Sequence, residues 1–279
     1  MGSFAGKNGL NLVKDGGLSY IQFEPLARFG DMIKHCFTTR LGGVSKGEYD
    51  SLNLAFNKKD LRENVLKNYS LLSDAVGIDI DNMVLSNQVH ENKVKKVGTS
   101  DRGKGIKLES DIKGYDGLVT NESKVALVTF YADCVPVLML DPKKKVVAAC
   151  HSGWRGTVKG ISIVTAETMR DEYGSSLEDI VAVIGPSIKS CCFEVGSEVY
   201  DEFKKAYPWC DSMCTEGDDG KWHIDLQLII ARYLIDSGLK KDNVHDLSVC
   251  TKCNKDVFFS YRGDNGKTGT MAGIIQLVQ

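Results

Sequence analysis

Most apolar residues of this chain fall in short runs bounded by Gly, Pro, Asn and Asp, and few stretches carry a helical repeat. Residues 18–23, 35–39, 83–85, 116–120, 125–130, 180–184, 258–262 and 269–278 read as strands, being rich in β-branched and aromatic side chains. Between 135–140 and 146–149, two apolar runs flank Asp141-Pro142-Lys143-Lys144, where the fixed φ of proline suits a type I turn, so a β-hairpin is predicted there. Helical spacing appears in 64–76, where Val65, Tyr69, Leu72 and Val76 make an apolar stripe that stops at Gly77. It appears again in 157–173, with Val158, Ile161 and Val164 at three-residue steps, in 197–207, and in 225–237, which Asp225 caps and Gly238 ends. Strands outnumber helices and short turns join many of them, which predicts an α+β fold rather than a repeating β-α-β chain.

The bulk composition narrows the setting. At 279 residues and 42% hydrophobic, the chain can bury a sizeable core. It has no linker, repeat or low-complexity tract, so residues 1–279 are expected to form a single domain. A net charge of −2, with acids and bases mixed, leaves no electrostatic footprint for nucleic acid or an anionic membrane, and no protein partner is evident. The opening stretch is too short and polar for a signal peptide, and Gly6 stands where a myristoylation signal after Gly2 wants Ser or Thr. A cytoplasmic location is expected, in which the nine cysteines are reduced thiols rather than a disulfide framework.

Candidate chemistry gathers at the open end of the hairpin. Cys134 and His151 are equidistant from the turn, so antiparallel pairing would set them opposite each other with Cβ atoms about 5 Å apart. A thiol beside an imidazole is either a nucleophile with its base or two ligands of one metal. Asp133 precedes the cysteine, and Gly153-Trp154-Arg155-Gly156 follows the histidine, placing a planar cation on a glycine-flanked loop at the start of a helix, where anions are favoured. The adjacent Cys191 and Cys192 read as buried thiols, since a vicinal disulfide is strained. His245 and Cys250-Thr251-Lys252-Cys253 lack the second well-spaced pair that a zinc knuckle needs.

Taken together, the ADC-x-P and H-x-GWRG segments, QVH at 88–90, TR-x-GG-x-S at 39–45 and FFSYR at 258–262 resemble the YfiH-like polyphenol oxidase or laccase-domain family, from about His35 to the C-terminus. The resemblance implies a four-layer α-β-β-α sandwich with mixed sheets. It also implies zinc-dependent phosphorolysis of purine nucleosides (adenosine, inosine, guanosine or methylthioadenosine) and deamination of adenosine. His90, Cys134 and His151 would then be both the metal ligands and the catalytic set, leaving the fourth tetrahedral position of Zn²⁺ open for chemistry. Arg40 and Arg155 would face the nucleoside and phosphate. The chain departs from the family at Tyr69, Gly263 and Thr270, where arginines are usual.

Two rival chemistries share these residues. One is a metal-free hydrolase or deamidase with Cys134 as nucleophile and His151 as base. The other is copper-dependent oxidation of phenols, for which a multi-copper set would have to be drawn from five histidines. A non-enzymatic binding module would lack both metal and turnover.

Overall fold

The computed structural model describes residues 9–278; Gly2 and Gly6, weighed above as a lipidation signal, lie outside them. Two six-stranded sheets carry the architecture. The first runs in the order Leu10–Asp15, Leu18–Phe23, Ile33–Thr38, Met271–Leu277, Ala126–Tyr131, Met83–Leu85, and the second in the order Val244–Asp246, Val181–Ile184, Val135–Asp141, Val146–Ser152, Gly117–Thr120, Val94–Lys96. Both are mixed: Met83–Leu85, Val244–Asp246 and Val94–Lys96 pair parallel with their neighbours, and the other pairings are antiparallel.

Side-chain alternation produces three cores and therefore four layers. Phe37, Leu127, Tyr131 and Ile275 from the first sheet meet Leu138, Leu140, Val147 and Ala149 from the second in a central core. The opposite face of the second sheet, with Val137, Met139, Val146 and Ala148, packs on Ile161–Tyr173 and Leu226–Asp236. The outer face of the first sheet, with Cys36, Val128 and Ile274, covers Val65, Tyr69 and Leu72 of the helix Arg62–Val76. Val135–Asp141 is buried along its whole length because both of its faces are covered. Each fully buried Val, Leu or Met there contributes about 1.5–3 kcal/mol. This is the four-layer sandwich implied by the family resemblance.

Four expectations need correction. The hairpin closes one residue later than expected, with Asp141 opposite Val146 and a Pro142 to Lys145 turn whose last residue has φ 53°. His151 therefore pairs with Pro136, not with Cys134. Second, the helix expected at 157–173 begins at Trp154 and breaks at Gly160, where φ is 73° and a Cβ would lie 2.9 Å from the Tyr233 hydroxyl. Its buried face is Ile161, Ser162, Thr165, Ala166 and Met169, since a three-residue step drifts around a 3.6-residue helix. Third, residues 258–262 are not a strand; Phe258 and Phe259 are buried within an irregular segment, where packing overrides aromatic β-propensity. Fourth, Cys191 is exposed and Cys192 half-buried, because both sit on the turn that leaves the second sheet.

Candidate active site

The chain crosses from the first sheet to the second between Ala126–Tyr131 and Val135–Asp141, and Cys134 sits at that crossing. Asp133 takes φ 92° to make the turn, an uncommon conformation for a residue with a Cβ. Its carboxylate is fixed from two sides, by the Thr251 hydroxyl at 2.6 Å and the Arg262 amide at 2.6 Å, while its carbonyl accepts from the Ile188 amide at 2.8 Å. Cys134 lies two residues before Pro136, the partner of His151, so thiol and imidazole share one face of the hairpin as diagonal neighbours. The expected register was wrong by an amount that preserves the face.

His90 comes from the loop after Met83–Leu85 and has φ 63°. It is held there by a residue the sequence reading passed over as part of a strand. Asp116, fully buried, accepts from the amides of Val89, His90 and Glu91 at 3.0, 3.0 and 2.9 Å, and also lies 2.8 Å from Nδ1 of His151. One carboxylate thus sets the backbone of the first histidine and the ring orientation of the second, leaving Nε2 of His151 as the atom available for coordination. The buried Asp at the head of an apolar strand was the signal that could have marked it.

The donor atoms of His90, Cys134 and His151 all lie within 4.8 Å of one another. Cys134 Sγ is 3.9 Å from His90 Nε2, against about 3.6 Å for an S···N edge of a tetrahedral zinc site. Gly153 makes room for this convergence, since a Cβ on it would lie 2.7 Å from His90 Cδ2 and 3.1 Å from Cys134 Sγ. The donors also have the mixed N and S character that Zn²⁺ accepts, so the set fits that metal. Gly153→Ala is expected to keep the fold, because its backbone is extended, yet to weaken metal binding by displacing His90; circular dichroism and metal titration check this.

The electrostatics are those of a poised ion pair. Burial alone would raise the Cys134 thiol, but the neighbouring charge and hydrogen bonds of His151 and His90 outweigh it and bring the thiol down to about 6. For His151, burial opposes the charged form, and Cys134 and Asp116 together lift it to about 9. The Asp116 carboxyl, pushed up by burial, is pulled lower by His151 and by the amides of Glu91 and Val89.

The triad opens on a cavity of about 720 Å³. Phe56, Phe130, Trp154 and Phe193 give it flat apolar walls, and Lys58, Arg155 and Arg262 give it cations. Gly105 and Ser110 border it from the polar loop at 98–114. Arg155 is exposed and stacks over the Trp154 ring at 4.2 Å. Arg40 is not brought to the cavity wall. Its guanidinium donates to the carbonyls of Asp50 (2.9 Å) and Lys255 (3.0 Å) and lies over the Phe259 ring, which makes it a brace between loops.

The three departures from the family pattern have separate structural explanations. Tyr69 is fully buried, donates to the Leu54 carbonyl at 2.9 Å and stacks on Phe56. Gly263 has the Lys255 side chain over it, with Nζ donating to its carbonyl at 2.8 Å. Thr270 lines the cavity, and its amide donates to Asn53.

Comparison with known proteins gives consistent matches. Residues 34–278 match the family model described as multi-copper polyphenol oxidoreductase laccase. The chain is 37% identical over 240 residues to "Purine nucleoside phosphorylase YlmD" of Bacillus subtilis, covering 86% of each. It is 34% identical over 240 residues to "Adenosine deaminase RL5" of an unknown prokaryotic organism, covering 84% of this chain and 91% of that one. The structure matches the crystal structure of Bacillus licheniformis hypothetical protein YfiH with a TM-score of 0.89 at 32% identity, over 95% of this chain and 98% of that one.

Proposed function

We propose, on the premise that this chain belongs to the multi-copper polyphenol oxidoreductase laccase family, that it is a zinc-dependent enzyme of purine nucleosides. Its reactions would be phosphorolysis of adenosine, inosine, guanosine or methylthioadenosine, and deamination of adenosine. The observation that carries this reading is the convergence of His90, Cys134 and His151 on the wall of a cavity of about 720 Å³. That volume suits a small molecule. The names of the similar proteins, purine nucleoside phosphorylase and adenosine deaminase, support the substrate class.

When bound by the three residues, zinc would supply Lewis acidity toward a substrate oxygen, phosphate or water. The chain's own groups do the rest. Arg155, Arg262 and Lys58 present positive charge to phosphate, Arg155 and Arg262 with the forked geometry that suits it. The aromatic walls offer ring faces to a purine. Asp116 holds the His151 ring so that its remaining nitrogen points toward the other donors. Zinc is favoured over a multi-copper set by where the histidines lie. His35 is buried and accepts the Phe23 amide, His223 contacts the Ser190 carbonyl and His245 lies on Val244–Asp246, so only two of the five reach the cavity. No helix among the described residues is long and apolar enough to cross a membrane.

A panel of nucleosides with and without phosphate, read by chromatography for released base and for inosine formed from adenosine, tests the reading. Release of base that requires phosphate and stops on chelation supports it; inert nucleosides refute it. In the same assay Arg155→Ala is expected to lower kcat/KM about 10- to 100-fold, the loss of one charge-assisted contact, with metal content unchanged. Loss of metal or of the fold in that variant would make Arg155 structural.

One observation favours a second reading. The lowered Cys134 thiol beside a raised His151 is also the signature of a cysteine nucleophile with its base, needing no metal.

A further inference from the structure

The second cluster of soft ligands lies apart from the triad. Cys191 and Cys192 lie on the turn that follows Val181–Ile184, and Cys250 and Cys253 bracket Thr251 some sixty residues later. The fold brings all four together: their sulfurs lie within 4.8 Å of one another, with Cys191 to Cys253 at 3.8 Å and Cys192 to Cys253 at 3.5 Å. The second cysteine pair that the Cys-x-x-Cys spacing lacked in sequence is supplied by tertiary structure.

We infer that Cys191, Cys192, Cys250 and Cys253 form a second metal site, a closed four-thiolate site for structural Zn²⁺. Three features support this. First, four sulfurs on the corners of a tetrahedral zinc site stand about 3.8 Å apart, which the two distances approach. Second, turn backbone presents both pairs, as it does the ligands of a metal knuckle: Cys253 lies in the tight turn Lys252–Asn254 just after Cys250, and Cys191 and Cys192 lie on a turn of their own. Third, disulfide chemistry joins sulfurs in pairs and does not require four of them to meet at one point, whereas a tetrahedral ion does.

Loading the site exchanges protons for metal: each thiol gives up its proton as its sulfur bonds to zinc, with no change of oxidation state. With all four positions taken by protein, the ion has no open site for substrate, which separates it from the His90, Cys134, His151 set. Its effect is mechanical. The two segments it would tie together are those that hold Asp133, through the Ile188 amide on one side and the Thr251 hydroxyl on the other. A zinc cross-link here steadies the crossing that carries Cys134.

The test uses the full chain produced with zinc and purified with reductant and without chelator. Wild-type protein is expected to carry two zinc ions per chain, His90→Ala one, and Cys253→Ser one. Cobalt loaded into His90→Ala should give the intense thiolate-to-metal charge transfer of a four-sulfur site, and Cys192→Ser added to that variant should abolish it. If wild type holds one zinc that Cys253→Ser loses and His90→Ala keeps, this inference stands and the metal at the triad falls. Equal zinc in wild type and Cys253→Ser, no metal in His90→Ala, or mass spectrometry finding these cysteines in disulfides despite reductant would each overturn it. Because the wild-type and His90→Ala measurements need no cysteine substitution, a misfolded serine variant does not shield the idea.

Discussion

His90→Ala is expected to lose the triad metal and nucleoside phosphorolysis together while remaining folded. The imidazole is exposed, and Asp116 grips the loop through its amides rather than through this side chain, so the backbone keeps its anchor. What disappears is one of three donors, and two protein ligands are too few to hold a catalytic ion tightly. The loss of metal affinity should exceed the roughly 10- to 100-fold cost of removing a residue that is hydrogen-bonded to a ligand. Chelation of the wild type should reproduce the loss of activity, and added zinc should restore the wild type alone. The same variant decides between the two chemistries. A cysteine nucleophile needs only Cys134 and His151, so full activity in His90→Ala, or in metal-free protein, would establish the hydrolase reading and end the zinc one.

Changing Asp116 should damage both the site and the fold, and the size of the damage depends on the replacement. Asp116→Ala leaves three loop amides without their acceptor and frees the His151 ring. These amides are only part-buried, so each orphaned N–H costs at most about 1–3 kcal/mol, and a depressed melting temperature is expected along with weak metal binding. Asp116→Asn keeps the shape and one acceptor oxygen, but turns an NH₂ toward groups that are themselves donors. Its expected signature is about 10- to 100-fold weaker metal binding with a smaller drop in melting temperature. Competition against a calibrated chelator and thermal unfolding measure the two effects separately. Unchanged affinity in Asp116→Asn would mean that the carboxylate supports only the loop.

The comparison of sequence with structure follows from which contacts are local. The helix Arg62–Val76 and the strands Leu18–Phe23 and Met83–Leu85 were legible because apolar spacing and a stop residue lie side by side in the chain. Leu10–Asp15 was not, since its polar residues alternate weakly and its order comes from pairing with Leu18–Phe23. Cys134 and His151 could be brought together from the hairpin alone, and the error in register was harmless because it moved the pairing along one face. Asp116 escaped notice because its partners lie some twenty-five residues earlier and thirty-five later, where no local pattern reaches. The cysteine pairs escaped for the same reason. Arg40 shows the converse: a recognisable string carries an arginine whose charge is absorbed by two carbonyls and a ring.

The long hairpin gives the molecule an insulated handle. Its turn, Pro142 to Lys145, stands at the end of two seven-residue strands, about 20 Å from the chemistry at the other end. Both strands are also pinned by outside neighbours, Val181–Ile184 on one flank and Gly117–Thr120 on the other, so their register does not depend on the turn that joins them. Lengthening that turn, or hanging a fluorophore or an immobilising tether from Lys144, would leave Cys134 and His151 where they are. The protein could be attached to a surface by that end with its cavity facing solution.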